Sequence, residues 1–355
     1  MDILVGMSGG VDSSTAALLL KEAGHNVIGA TMAIWGDKGM SVKINPSSHG
    51  ACLGPDEKED IESAKKVCEE LGIEFHVFDC ASKYDEIVLK NFRDEYLKGR
   101  TPNPCVWCNS LIKFDVLPYI AKENGLKFDK FATGHYARVE KVDDRYLLKR
   151  GVNPHKDQSY FLYRLKQRQL ENILLPLGGY TKEEIRQIAS KAGLEVADKP
   201  DSQDFYEGDY NELLGVSPKH GNIVDMSGKV LGEHEGVWNY TIGQRKGLGI
   251  SSTEALYVVE LRGETNEVVV GFKDKTFKDR LVADDLNWIA FDKLEGEIKC
   301  QAKIRSTQTP TDVTVRPIGE DKIEVVFDDM QKSIAPGQSV VLYDGDVVLG
   351  GGIIE

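Results

Sequence analysis

At 355 residues, with 41% hydrophobic and 28% charged residues, the chain is long enough for two or three domains with substantial cores. No apolar run approaches the roughly 20 residues of a membrane span, and Met1-Asp2-Ile3-Leu4-Val5-Gly6 has no basic region ahead of an apolar stretch, which points to a cytoplasmic protein with no membrane partner. A net charge of −13 argues against a general nucleic-acid binder, because phosphate contacts need Lys and Arg.

Residues 3–5 read as a first strand and 12–23 as a helix ended by Gly24, with a second strand at 27–35. Residues 36–55 are rich in Gly, Ser and Pro and read as a long loop. Residues 57–71 form an amphipathic helix with Ile61, Ala64, Cys68 and Leu71 on one face, and further strands are expected at 75–78 and 131–133. This alternation predicts an α/β domain with a parallel sheet over residues 1–200. Between 131 and 170 stand nine basic residues (Arg138, Lys141, Arg145, Lys149, Arg150, Lys156, Arg164, Lys166, Arg168) against four acids, about +5 inside an acidic chain. That is enough for one compact RNA-facing surface, although a solvated charged face would look the same.

Residues 201–275 carry many glycines and turn signals and little helical period, so a small central domain is expected there. Residues 276–355 are β in pattern: Ile298, Cys300, Ala302 and Ile304 alternate, and Asp344-Gly345 between two apolar runs signals a hairpin. A small C-terminal β-barrel is predicted. No internal repeat is present.

The stretch Ser8-Gly9-Gly10-Val11-Asp12-Ser13-Ser14 lies between the first strand and the first helix. Two glycines let the backbone turn tightly with its N–H groups toward an anion, and the positive helix end points the same way. No Gly-Lys-Ser/Thr follows, so it is not a Walker A loop, and the third glycine of a dinucleotide fingerprint is missing. An ordinary strand-to-helix turn with an Asp or Ser cap is the plainer reading, and Gly-Gly flanked by serines speaks against it.

This stretch resembles the PP-loop of the ATP pyrophosphatases, whose fold is adenine nucleotide α hydrolase-like. Further motifs recur in the order found in tRNA-specific 2-thiouridylases. They are Thr101-Pro102-Asn103-Pro104, Cys108-Asn109, Ile112-Lys113-Phe114, Ala132-Thr133-Gly134-His135-Tyr136-Ala137-Arg138 and Lys156-Asp157-Gln158-Ser159-Tyr160-Phe161-Leu162, then Thr241-Ile242-Gly243-Gln244-Arg245-Lys246-Gly247-Leu248 and Pro336-Gly337-Gln338. The resemblance covers nearly the whole chain. It implies adenylation of the C2 oxygen of the wobble uridine of tRNA by ATP with Mg2+, release of pyrophosphate, and displacement of AMP by sulfur from a persulfide carrier or inorganic sulfide. It further implies that Gly6, Met7, Ser8, Gly9, Gly10, Val11, Asp12, Ser13, Met32 and Gly134 hold ATP. Asn103, Pro104 and Cys105 would border the flipped base, which must leave its stack to be attacked. His135, Lys156, Asp157, Gln158, Arg305 and Gln338 would contact tRNA, with residues 201–275 as a tRNA-binding domain. Two rivals remain: a PP-loop enzyme adenylating another substrate or tRNA position, and a non-catalytic tRNA-binding protein.

The cysteines depart from the family pattern. Where the family has Asp, this chain has Cys105, three residues before the nucleophile position Cys108. Where it has a second catalytic cysteine, the chain reads Ser202-Gln203-Asp204-Phe205-Tyr206. Cys68, Cys80 and Cys300 read as small buried hydrophobes, whereas Cys52 lies in the polar loop with no core period around it. Three arrangements follow. Cys52, Cys105 and Cys108 hold a [4Fe–4S] cluster with one iron open to sulfide; or Cys108 carries a persulfide that Cys105 resolves; or His49, Cys52, Cys105 and Cys108 close a zinc site.

Overall fold

The computed structural model describes residues 1–35, 53, 57–199, 205–206 and 210–355. His49, Cys52 and the Ser202-Gln203-Asp204 stretch lie outside the described residues. The first domain is built on strands β1 (Asp2–Gly6), β2 (Asn26–Ala33), β3 (Glu74–Asp79) and β4 (Lys130–Thr133) and, after a hairpin of β5 (Ala137–Val142) and β6 (Arg145–Arg150), on β7 (Ile173–Leu174). The parallel sheet runs β3-β2-β1-β4-β7. Ile3, Leu4 and Val5 are fully buried, as expected of a central strand covered on both faces. The chain winds one way from β1 to β3 and returns to place β4 on the other side of β1. A crevice therefore opens at the carboxyl ends of β1 and β4.

Helix α1 (Val11–Glu22) follows β1, and Gly24 beyond its end has φ +83°. Helix α2 (Glu57–Leu71) buries Ala64, Val67, Cys68 and Leu71; a Cβ on Gly29 would lie 2.6 Å from the Cys68 sulfur, so that glycine lets α2 lie close to the sheet. Strand β2 stops two residues short of the sequence expectation. The amides of Ile34 and Trp35 leave the ladder and donate to the Glu57 carboxylate at 2.6 and 3.0 Å.

The central region holds β8 (Gly221–Asp225), β9 (Val230–His234), β10 (Tyr257–Arg262) and β11 (Glu267–Gly271) in the order β10-β11-β8-β9. The last region is a barrel of β12 (Phe277–Trp288), β13 (Ile298–Lys303), β14 (Thr311–Ile318), β15 (Lys322–Lys332), β16 (Ser339–Asp344) and β17 (Val347–Ile354), closed by pairing of β12 with β17. Its β16–β17 hairpin turns at Gly345-Asp346, one residue beyond the expected pair, with Gly345 at φ +57°. Among the described residues Cys68 and Cys80 are buried, as expected, but Cys300 is half-buried.

The β5–β6 hairpin leaves the parallel sheet and joins the barrel through β6 and β17, where Val347 pairs with Lys149 and the Arg150 amide donates to the Asp346 carbonyl at 2.7 Å. This changes the meaning of the basic segment. Arg138, Arg145 and Arg164 pair with Asp346, Asp292 and Asp285 at 2.7, 2.7 and 3.0 Å, all from the barrel region. Lys149, Arg150 and Arg168 pair with Glu140, Asp157 and Asp115. Lys166 donates to the Asn287 side-chain oxygen at 2.7 Å. Most of the local positive charge thus meets carboxylates, half of these from the barrel, and fastens the first domain to it.

Candidate nucleotide and base site

The phosphate loop sits at the sheet's switch point. Gly9 has φ +70°, and a Cβ there would lie 2.4 Å from the Asp60 carbonyl oxygen, so glycine alone fits. Gly10 caps α1 with no side-chain hydrogen bond, which leaves the first-turn amides facing the crevice without an Asp or Ser cap. The Ser13 hydroxyl accepts from the Ser8 amide at 3.1 Å and lies 3.1 Å from the Ser8 hydroxyl, tying the loop across its mouth. Asp12 accepts from Lys182 Nζ at 2.7 Å and from the Tyr136 hydroxyl at 2.8 Å. Lys199 Nζ donates to the Gly9 carbonyl at 3.1 Å and to Asp60 at 2.8 Å, and the Ser63 hydroxyl donates to the same carbonyl. Met32 lies near the carboxyl end of β2, on the same edge of the sheet. Gly134, just after β4, presses on α1 so closely that a Cβ would lie 2.7 Å from the Asp12 carbonyl carbon and the Ser13 nitrogen.

The cysteine pair lies on a second element that meets the first at His135. Asn103 precedes a short helix, Pro104–Trp107, which runs on into a π-helix, Cys108–Val116. Residues three apart on a helix share a face, so Cys105 and Cys108 stand one above the other; Cys105 is half-buried and Cys108 buried. The Gln169 side-chain amide donates to the Ser110 and Phe114 carbonyls at 2.7 and 3.2 Å, satisfying groups in the wide π-turns. Arg164 lies over the Trp107 ring at 4.5 Å and braces the helix start. His135 packs on Phe114 with ring centroids 5.6 Å apart, and its Nδ1 lies 2.8 Å from the Thr133 hydroxyl. Burial, with Lys113 nearby, pushes the His135 imidazole down to about 3, so it is neutral at physiological pH. Adjacent residues 134 and 135 therefore touch the phosphate loop and the cysteine helix respectively.

The barrel reaches this element too. The Gln338 side-chain amide donates to the Pro102 carbonyl at 3.4 Å, and the Thr101 amide donates to the Pro336 carbonyl at 2.7 Å. A Cβ on Gly337, at φ +90°, would fall 2.9 Å from the Thr101 nitrogen. Other expected contact residues are placed differently. The Asp157 side chain is 0% exposed and accepts from the Gly151 and Ser159 amides and from Arg150, so it holds a loop together. The Gln158 side-chain oxygen accepts from the Tyr136 amide at 2.8 Å, and Lys156 nearby is half-buried. Arg305 lies apart, on the barrel near the central region, donating to the Ser333 carbonyl. Tyr206, at the position of the family's second cysteine, is 3% exposed and donates to Glu212 at 2.8 Å. Among the described residues no group of three or more His, Cys, Asp or Glu side chains converges to hold a metal. Nor is any helix there long and apolar enough to cross a membrane.

Sequence reasoning missed Lys182, Lys199, Asp60 and Ser63. Each reaches the loop across a large sequence gap, and no local pattern marks them. Tyr136 lies within a motif already singled out, but nothing there told that its hydroxyl reaches Asp12.

Three family descriptions match in order: tRNA methyl transferase HUP domain over residues 1–206, tRNA methyl transferase PRC-barrel domain over 212–272 and aminomethyltransferase β-barrel domain over 278–354. The tRNA-specific 2-thiouridylase MnmA of Endomicrobium trichonymphae is 47% identical over 360 residues, covering 100% of this chain and 99% of its own. That of Clostridioides difficile (strain 630) is 45% identical over 362 residues, covering 99% and 98%. Among solved structures, a 4-thiouridine synthetase–RNA complex with bound ATP is 18% identical, covering 56% of this chain and 42% of that one with a TM-score of 0.36. On the full-length identity, the chain belongs to the tRNA-specific 2-thiouridylase family.

Proposed function

We propose that the protein is an ATP-dependent tRNA sulfurtransferase that converts the wobble uridine of tRNA to 2-thiouridine in the cytoplasm. The observation that carries this reading is the junction at Gly134 and His135. One residue packs on the phosphate loop and the next on the helix that begins with Cys108, so an adenylating half-site and a thiol-bearing half-site share one crevice.

The amides of the loop from Gly6 to Ser13 and the Ser8 and Ser13 hydroxyls bind the phosphates of ATP, which arrives with Mg2+, while Met32 and Gly134 border the nucleotide. The uridine C2 oxygen attacks the α-phosphorus and pyrophosphate leaves. A sulfur nucleophile then adds at C2, and the C2–O bond breaks to release AMP. Asn103, Pro104 and Cys105 line the base pocket, buttressed through Pro102 by Gln338. His135, neutral, offers a hydrogen bond rather than a charge. Lys156, Gln158, Arg305 and Gln338 meet the tRNA, and Asp157 acts by holding the 151–159 loop. We read the chain as three units, 1–200, 201–275 and 276–355, with the β5–β6 hairpin of the first joined to the barrel and the central unit on the tRNA side.

Sulfur comes to this site through Cys105 and Cys108. With Cys52 they are the thiolates that a [4Fe–4S] cluster would use, and such a cluster would supply an iron able to bind sulfide. The buried Tyr206 supports a route that does not need the second cysteine. Incubating unmodified tRNA with ATP and either sulfide or a persulfide donor, followed by nucleoside mass analysis, tests the function. ATP-dependent 2-thiouridine that Cys108→Ser abolishes is the expected result. Activity that survives Cys108→Ser, or pyrophosphate release without thiolation, would refute the reading. Iron, sulfide and zinc analysis of anaerobically purified protein separates the routes: iron with sulfide marks the cluster. Iron-free protein active with a persulfide donor marks the dithiol relay, and stoichiometric zinc marks the closed zinc site.

A further inference from the structure

Residues 163–169 stand between the barrel and the cysteine helix, held by one and holding the other. On the barrel side, β12 carries a bulge between Asp284 and Asn287, where its pairing with β17 shifts register. Asp285 within it has φ +46°, a left-handed conformation in which Asp and Asn are enriched. A bulge of this kind bends a strand and re-aims its side chains, and here two of them reach residues 163–166. Asn287, 3% exposed, donates to the Tyr163 and Leu165 carbonyls at 2.6 and 3.2 Å and accepts from Lys166 Nζ at 2.7 Å. Asp285 accepts from the Arg164 guanidinium through its main-chain and side-chain oxygens, both at 3.0 Å. One residue further along the barrel strand's exit, the Ile289 carbonyl accepts from the Gln167 side-chain amide at 3.1 Å.

Two side chains of the same segment hold the cysteine helix. Arg164 lies over the Trp107 ring at 4.5 Å, and the Gln169 amide donates to the Ser110 and Phe114 carbonyls. The Gln169 oxygen is itself fixed by the Lys166 amide at 2.9 Å. The helix needs support from outside. It starts at Pro104 with no side-chain cap from Asn103 and widens into π-turns at Cys108. Successive residues step about 100° around a helix, so Trp107 stands about 100° from Cys108 and about 200° from Cys105. A contact on that flank fixes the helix against rotation about its own axis, and with it the direction of both thiols. Arg164 suits the task, because a planar guanidinium can stack on a ring and bond a carboxylate in one pose. Its side chain is 12% exposed, so little water competes for either contact.

We propose that Arg164 is a positioning residue for the sulfur-transfer step. Held by Asp285 in the barrel bulge, it sets through Trp107 the direction in which Cys105 and Cys108 face, while Gln169 fixes the turns that follow. The inference rests on the tRNA-sulfurtransferase reading and adds the device that aims the thiols. It also gives the β12 bulge a part in the chemistry, although the bulge itself touches neither cysteine helix nor nucleotide.

Thiolation of unmodified tRNA by the full chain tests it, with kcat and KM for tRNA, ATP affinity and melting temperature measured for Arg164→Met, Arg164→Lys, Trp107→Leu and the double variant Arg164→Met with Trp107→Leu. Arg164→Met should lower kcat by roughly ten- to hundred-fold, as a misplacement of up to about 1 Å at the reacting atoms does. KM, ATP affinity and melting temperature should stay close to wild type. Arg164→Lys should recover part of the rate, since an ammonium still lies over the ring. Because Arg164 acts through Trp107, adding Arg164→Met to Trp107→Leu should cost little beyond Trp107→Leu alone. Wild-type kcat in Arg164→Met, or single losses that multiply in the double variant, would overturn the proposal and leave the sulfurtransferase reading standing. So would ATP affinity and melting temperature falling together with kcat, which would make Arg164 a residue of the fold alone. An unaltered chain that forms no 2-thiouridine with sulfide or a persulfide donor would overturn both.

Discussion

Gly134→Ala is the sharpest test of the junction between the two half-sites. An added methyl would lie 2.7 Å from the Asp12 carbonyl carbon and the Ser13 nitrogen and 2.9 Å from the Asp12 oxygen, where ordinary contact begins near 3.4 Å. The clashing atoms are backbone at the start of α1, so no side chain can rotate away. Either α1 or the end of β4 must give by about 0.7 Å. Overpacking of this kind costs about 1–3 kcal/mol, and a displacement approaching 1 Å at a reacting geometry costs about 100-fold in rate. The expected outcome is tRNA-dependent pyrophosphate release reduced by about two orders of magnitude, weaker ATP binding by calorimetry and a melting temperature lower by a few degrees. Gly179→Ala is the control, because a methyl there meets nothing within 4 Å. Wild-type ATP affinity and turnover in Gly134→Ala, or equal damage from Gly179→Ala, would refute the steric argument.

Lys182→Met removes the buried cation that pairs with Asp12 at 2.7 Å. Breaking a buried pair costs about 3–5 kcal/mol, and since Asp12 is partly exposed the loss should fall at or below the lower end; urea denaturation measures it, and a loss under about 1 kcal/mol would count against the pairing. His135 titrates well below an unfolded histidine, which takes up its proton near 6.5. The neutral ring's contribution to stability is therefore complete above that pH and lost as pH falls toward about 3. His135→Asn should flatten the decline in stability between about pH 6.5 and 4, and an unchanged pH dependence in the variant would contradict the burial. Burial pushes the Cys68, Cys80 and Cys300 thiols up to about 12, which leaves about one part in ten thousand as thiolate at pH 8. Peptide mapping after brief alkylation of the native chain should find these three unmodified, and rapid labelling of any of them would show the thiol to be accessible. Gly337→Ala forces a methyl against the Thr101 backbone at φ +90°; thiolation should fall while ATP affinity, set at the glycine loop after β1, stays unchanged, and a parallel loss of ATP binding would sink the separation.

Features whose causes are local were legible in the sequence. Strand β1, the glycine turn and α1 follow one another with apolar and glycine signals in place, and Cys105 and Cys108 stood out as a CxxC pair, whereas the helix that carries them was not expected. The β5–β6 hairpin was not. Its exposed faces carry Arg138, Glu140, Lys141 and Arg145 with little apolar alternation, because it packs on a strand about 200 residues away. For the same reason a charge count could not tell a basic surface from an interface whose acids, Asp285, Asp292 and Asp346, come from another region. Asp157 shows the limit differently: it stood in a recognisable motif, yet its carboxylate is buried and serves the fold. The family resemblance named Gln338 and the Thr101–Pro104 motif separately, and only the structure brings them to one contact.

The bond between β6 and β17 also orders events on the ribosome. The hairpin is translated early, but the strand that covers its edge emerges only after the central region and most of the barrel. Until then Lys149 and Arg150 border an unpaired edge, and Arg138 and Arg145 lack their acidic partners. The Thr101–Pro104 turn, held by Pro336 and Gln338, waits for the same arrival. A nascent chain could then form its nucleotide crevice well before its base pocket is buttressed, so ATP binding would appear earlier in synthesis than competence for sulfur transfer. Loop closure over such a span slows folding more than it weakens the final structure. Ribosome-bound fragments of increasing length, probed for ATP binding, would register that interval directly.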